Sequence, residues 1–164
     1  MRLSHSRATE TQGHRGKIFF FCLCVSVPLW LVTATHAQDK PAAKRNVWDG
    51  VYSVKQAERG ETLIAEKCAT CHGADMTGGA GVPGVAGVEF MFNWNNNRVG
   101  GLYDLISKTM PLDAPSSLGN GQYLDVLAAL LKFNGFPSTE MTDLPSTREA
   151  LDDILITREK PKPQ

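Results

Sequence analysis

Apolar residues recur at helical spacing in four stretches of the chain. From Ser53, with Gln56 three residues on as a capping box, Ala57, Gly60 and Ile64 fall on one face of a helix that runs into Cys68. Gly60 costs about 1 kcal/mol relative to alanine inside a helix, so it is either merely tolerated or marks a point where another helix crosses closely. Residues 101 to 109, with Leu102, Leu105 and Ile106, predict a second, short helix. A third, over residues 121 to 133, puts Tyr123, Leu127, Leu130 and Leu131 on its buried stripe and stops at Asn134-Gly135. Ser146 and Glu149 open a last segment with Leu151, Ile154 and Leu155 on one side, and EKPKPQ follows as an expected disordered tail.

Between Cys71 and the second helix, GADMTGGAGVPGVAGVEFMFNWNNNRVGG is rich in glycine and shows no regular period. A structureless loop of that length inside a small domain implies that it wraps something. The amino-terminal part has a different character. Residues 18 to 34, IFFFCLCVSVPLWLVTA, form an apolar block behind Arg2, Arg7, Arg15 and Lys17 and ahead of THA at 35–37, the layout of a cleaved export signal. Pro28 interrupts the block, which is shorter than the roughly 20 residues of a spanning helix. The competing reading is an uncleaved membrane tether, which the long polar lead before the block keeps open.

The chain has 164 residues, 42% hydrophobic and 21% charged, with 17 basic and 17 acidic side chains. That composition suits a soluble globular domain. Processing after Ala37 would take four basic residues and one acid, leaving 13 basic and 16 acidic side chains, a net −3. No basic, aromatic-interleaved surface remains for nucleic acid. Processing also strips ligands. His5, His14, His36, Cys22 and Cys24 leave with the first 37 residues, so the mature part of about 127 residues keeps one histidine, His72, two cysteines, Cys68 and Cys71, and Met76, Met91, Met110 and Met141.

Those survivors meet in KCATCHGAD, residues 67 to 75. Zinc wants four nitrogen or thiolate ligands and finds three. A redox dithiol belongs at a strand-to-helix junction, and no strand pattern precedes Cys68. An inert disulfide leaves the adjacent histidine unexplained. The reading that uses all three residues is covalent haem c: both thiols add across the two vinyl groups of haem, and His72 lies under the iron. Haem would also supply the apolar interior that a glycine-rich chain with short helices lacks.

With one histidine, paired histidine ligation within the chain is impossible. Met76, four residues beyond His72, reaches at most about 14 Å, too little to pass round the ring. Met110 precedes Pro111 in KTMPLDAPSS, at a helix end where proline forces an extended conformation. It is the preferred sixth ligand, with Met91 the runner-up; ordinary packing is the other role open to Met91 and Met141. Tyr103 faces either the cofactor or solvent.

VWDGVYSVKQAERG, CATCHGADMTGG, TMPLDAPSSL and QYLDVLAALLKFNGFP together resemble the class I c-type cytochromes, single-haem electron carriers of the bacterial periplasm, over about residues 47 to 137. More narrowly the chain is similar to cytochromes associated with pyrroloquinoline-quinone dehydrogenases, whose pattern continues as FPSTEMTDLP and the last helix do. The resemblance implies an all-α cytochrome c fold of short helices round one haem. It implies Cys68 and Cys71 as thioether attachments, His72 and Met110 as axial ligands, and the Pro83 carbonyl as acceptor for the protonated ring nitrogen of His72. Trp94 and Arg98, at helical i,i+4 spacing, become candidates for the haem propionates, though each could be a plain surface residue. Ala129 and Ile64 stand where the family often has aromatics, and Gly101 and Gly119 where capping side chains are common.

The expected layout is a signal peptide over 1–37, a flexible linker over 38–46, the cytochrome domain over 47–137, a C-terminal extension with a short helix over 138–158 and a tail over 159–164. The expected function is one-electron transfer in the periplasm, from a dehydrogenase to an oxidase or another cytochrome, with membrane association only if the N-terminal segment stays uncleaved. The competing class is a haem sensor or haem enzyme with an open sixth site, which the absence of a distal arginine-histidine pair disfavours.

Overall fold

In the computed structural model, residues 43–162 are described. The chain divides into two units, Met1–Asp39 and Lys40–Gln164, and all the described residues belong to the second. The expected signal peptide, the first residues of the expected linker and the last two of the tail lie outside them. Among the described residues six α-helices appear in order: α1 (Val54–Lys67), α2 (Ala69–His72), α3 (Gly87–Trp94), α4 (Val99–Thr109), α5 (Asn120–Phe133) and α6 (Arg148–Asp152). Two short strands, β1 (Arg45–Asn46) and β2 (Ile154–Leu155), pair in parallel with Arg45 opposite Ile154 and Asn46 opposite Leu155. Among the described residues no helix is long and apolar enough to cross a membrane.

The core is organised on the crossing of α1 and α5. Ala57, Gly60 and Ile64 are buried on α1, facing an α5 whose Tyr123, Leu124 and every residue from Val126 to Leu131 are buried. Gly60 marks the close approach: a Cβ built on it would lie 1.9 Å from the carbonyl oxygen of Asp125 and 2.8 Å from Cβ of Ala129. The small residue at 129 is therefore matched to the missing side chain at 60. Each fully buried leucine here contributes about 1.5–3 kcal/mol of apolar transfer free energy.

Several local expectations need correction. The α1 capping box is half formed. Ser53 Oγ accepts from the Gln56 N–H at 3.0 Å, but the side-chain Oε1 of Gln56 turns to the Leu144 N–H at 2.7 Å, because a buried backbone donor from the C-terminal segment needs it more. Helix α4 begins at Val99, so Gly101 lies in its first turn and is not a cap. Gly119 does cap α5 without a side chain, and Gln122 Oε1 accepts its N–H at 2.9 Å. The cap of α6 is Thr147, two residues before Glu149, not Ser146. Leu155 sits in a strand, and Met141 is 92% exposed, so it packs against nothing.

The glycine-rich stretch was expected to be irregular throughout, yet α3 forms inside it. Its Phe90 is buried at 1%, while Val88 and Phe92 stay exposed. The helix is only eight residues long and its apolar positions do not share one face, which hides its period. Trp94 consequently ends α3 while Arg98 is the N-cap of α4, so the i,i+4 argument for placing them together fails.

The extension is not an appendage. After α5, Phe136 is buried, Thr139 N–H donates to Tyr52 O at 2.8 Å and its carbonyl accepts from Val54 N–H at 3.0 Å. Asp143 accepts from Ser53 Oγ and pairs with Arg59, which also forks onto Asp125 of α5. Helix α6 packs on α4: Arg148 bonds Asp104 at 2.8 Å and holds its carboxyl below the usual carboxylate range, with Lys108 adding to the effect. Leu151, Ile154 and Ile156 are then buried at 1%, 0% and 0%. Arg45 and Asn46, expected in the linker, are held by β2, and Trp48 Nε1–H donates to Thr157 O at 3.0 Å while its ring meets Phe136 edge-on at 5.1 Å. The N-terminal end of the domain is thus clasped by the C-terminal segment.

Candidate haem site

Helix α1 delivers the motif. It ends at Lys67, Cys68 leaves helical geometry at φ −122°, and the single turn of α2 carries Cys71 and His72, whose N–H groups both return to Cys68 O at 3.1 and 3.0 Å. The turn fixes the two sulfurs relative to each other. Both thiols are free, with Cys68 half-buried and Cys71 exposed. Burial, and next the neighbouring Cys71, push the Cys68 thiol above its usual value.

The histidine is oriented from the far side of the glycine-rich loop. Its Nδ1 lies 3.0 Å from the Pro83 carbonyl oxygen. A carbonyl only accepts, so Nδ1 is the donor in this bond and Nε2 is the ring nitrogen left to face a metal. The loop is shaped to make this bond. Gly78 N–H returns to His72 O at 2.9 Å, and Val85 N–H to Met76 O at 2.9 Å, with Met76 buried in the core at 2%. Gly78 has φ +77° and a Cβ there would fall 2.5 Å from Val82 O, so a side chain would push the Pro83 peptide away. Glu89 on α3 and Asn134 at the end of α5 clamp the outgoing strand of the loop, at Gly84 N–H (2.8 Å) and at Val85 O (3.2 Å) respectively. Neither was foreseen: Glu89 lies five residues from Gly84 but on a helix with no visible period, and Asn134 lies 49 residues from Val85.

Met110 belongs to a separate loop, between α4 and α5. It is the C-cap of α4, extended at φ −120°, ψ 152°, its N–H bonded to Ile106 O at 3.0 Å, and it is half-buried. Met91 is a partly buried side chain of α3 packed against the core. The Trp94 ring lies over Gly101, where a Cβ would approach it at 3.8 Å. Arg98 directs Nη1 onto Asp152 O at 2.8 Å. Tyr103 donates from its hydroxyl to Asn120 Oδ1.

Two unbridged thiols on one turn, an imidazole with its iron-facing nitrogen free, and a glycine loop bent round them fit the attachment chemistry of haem c. Among the described residues no group of three or more His, Cys, Asp or Glu side chains could hold a metal ion.

A family model agrees. Residues 57–102 match the family model Cytochrome c, a segment that includes the Cys-x-x-Cys-His motif and Pro83 but ends before Met110. Among solved structures, the chain is similar to one in the sulfane dehydrogenase SoxCD from Paracoccus pantotrophus, at 22% identity and a TM-score of 0.46, over 57% of this chain and 55% of that one. The similarity therefore spans about half the length of that protein. No curated protein matches the chain. The family match and the helical architecture identify a cytochrome c fold whose cofactor is a covalently bound haem c.

Proposed function

We propose that the protein is a periplasmic one-electron carrier with a single haem c, ligated by His72 and Met110, that passes electrons from a dehydrogenase, of the quinoprotein kind or another, to an oxidase or a second cytochrome. This reading rests first on the 3.0 Å contact of His72 Nδ1 with Pro83 O. It fixes the imidazole plane and raises the basicity of Nε2. A rigid ligand is what a carrier needs, because electron transfer is fast when little moves between oxidation states.

Bound at Cys68 and Cys71, haem c supplies a ferric–ferrous couple, and a histidine-methionine pair biases such a couple towards the reduced form. The residues of the chain do the rest. Cys68 and Cys71 hold the group against loss. The 73–86 loop covers the His72 side through its own hydrogen bonds. Met110, extended at the end of α4, presents a thioether from the other loop. Trp94 and Arg98 are carried as separate propionate contacts on the family resemblance alone, and Arg98 is held by its bond to the backbone of Asp152. A partner then needs only a small, transient contact at the thioether edge.

The test is optical. The exported protein should give a pyridine haemochrome of the type with both vinyl groups saturated. Its oxidised form should show the long-wavelength methionine-to-iron charge-transfer band, and its reduced form should ignore carbon monoxide. A high-spin oxidised spectrum with immediate CO binding would replace the carrier by a haem sensor or haem enzyme with an open site.

A further inference from the structure

Tyr123 belongs to the buried stripe of α5, and packing alone would account for it. Its hydroxyl, however, does something the stripe does not require. At 4% exposure of the residue, Oη donates to the carbonyl oxygen of Met110 at 2.7 Å and accepts, at 3.4 Å, from the N–H of Leu118. Met110 and Leu118 are the two ends of the loop that joins α4 to α5. One side chain from the best-packed helix of the core therefore grips both ends of the segment that carries the sixth ligand.

The loop has few other holds. Ser116 Oγ–H donates to Ser107 O at 3.0 Å, and Ala114 N–H turns back to Pro111 O at 3.0 Å. Those bonds shape the middle of the loop. Leu112 is 79% exposed, and the whole run from Leu112 to Ser117 is exposed, so apolar burial does not press it into place. The carbonyl of Met110 is one covalent bond from the Cα that aims its side chain. A hydrogen bond to it limits how far the thioether can swing away.

We infer that Tyr123 is the positioning residue for the sixth ligand: its hydroxyl latches the Met110 backbone to α5 and so keeps the Met110 thioether on the haem iron. This rests on the His72/Met110 ligation proposed above. Removing the hydroxyl leaves the ring and its burial in place but frees the Met110 carbonyl. The thioether then leaves the iron more often, and an added small ligand competes with it more successfully.

The test uses the full-length holoprotein and its Tyr123→Phe variant, with imidazole as the probe. Tyr123→Phe should bind imidazole to the ferric form about five- to tenfold more tightly than wild type, the equivalent of about 1 to 1.4 kcal/mol, the usual net worth of one hydrogen bond. Its methionine-to-iron band should weaken, and its pyridine haemochrome should be unchanged. Tyr52→Phe is the control. Tyr52 is also buried, at 1%, and its hydroxyl also donates to a backbone carbonyl, that of Phe136 at 2.6 Å, but it lies away from the ligand loop. It should lose stability to a similar degree while leaving imidazole affinity as in wild type. The latch is wrong if Tyr123→Phe binds imidazole like wild type, or if both variants shift alike. A wild type that itself lacks the charge-transfer band overturns Met110 ligation, and the latch with it; a wild type that has the band alongside an indifferent Tyr123→Phe overturns the latch alone.

Discussion

Gly60→Ala sets two effects of opposite sign against each other. As a helix-interior change it should help, because alanine gains about 1 kcal/mol over glycine in propensity. At the α1–α5 crossing, though, the new Cβ would stand 1.9 Å from Asp125 O, 2.5 Å from Asp125 C and 2.8 Å from Ala129 Cβ. Two of those atoms are backbone of a helix with eight buried side chains, so none can swing aside. Restoring an ordinary contact of about 3.5 Å means parting the helices by about 1.5 Å, enough to forfeit much of the dispersion attraction along the crossing. Overpacking costs about 1–3 kcal/mol and at times more, and a backbone clash belongs at or beyond the upper end. Less the propensity gain, the net loss is about 2 kcal/mol, or about 6–10 °C in Tm for a domain this size.

Thermal unfolding of the holoprotein by circular dichroism measures it, with Gly121→Ala on α5 as reference, since a Cβ there meets nothing within 4 Å. The reference should gain a few degrees or stay level. If Gly60→Ala melts at or above wild type, the helices do not cross at this distance and the reading of the core is wrong.

Four further outcomes are expected. Replacing Cys68 and Cys71 together with alanine should leave a protein from which acidified organic solvent extracts haem and whose mass is that of the bare polypeptide. Met110→Ala should abolish the methionine-to-iron band and admit carbon monoxide at once, with the thioether mass adduct intact. Leu151→Ala, at 1% exposure, should lose about 2–5 kcal/mol in denaturant unfolding, showing that the extension is part of the core. The Tyr52 phenol is pushed up to about 12 by burial, with Glu61 adding to it. The folded state therefore keeps a proton that the unfolded state releases near pH 10. The associated stability is complete below that pH and is lost as pH rises to about 12; urea midpoints across this range should fall more steeply for wild type than for Tyr52→Phe.

Which parts of the site could be read in advance follows from how local their causes are. Cys68, Cys71 and His72 fall within five residues, and their spacing is itself the attachment motif inside the segment that matches the cytochrome c model. The end of α4 at Met110 was marked by the proline behind it. The α1 and α5 stripes showed because both helices are long enough for a period to register. Helix α3 has eight residues with Val88 and Phe92 facing outward, so its pattern broke before it could be seen. The pairing of Trp94 with Arg98 failed for the same reason, because the chain turns between them.

The bare chain already carried the covalent haem attachment motif, a methionine at a helix end, and a glycine at the place where two helices meet. These are properties of residue type and spacing, which survive without knowledge of neighbours. The tertiary structure decided how the parts are held. Glu89 and Asn134 clamp the 73–86 loop, Tyr123 reaches the loop between α4 and α5, Gln56 leaves its cap to serve Leu144, and the C-terminal segment clasps residues 45 to 48. Most of these bonds join residues far apart in sequence, and each satisfies a backbone group that burial would otherwise leave bare. Which side chain meets such a need depends on where the folded chain brings it, and no local pattern encodes that.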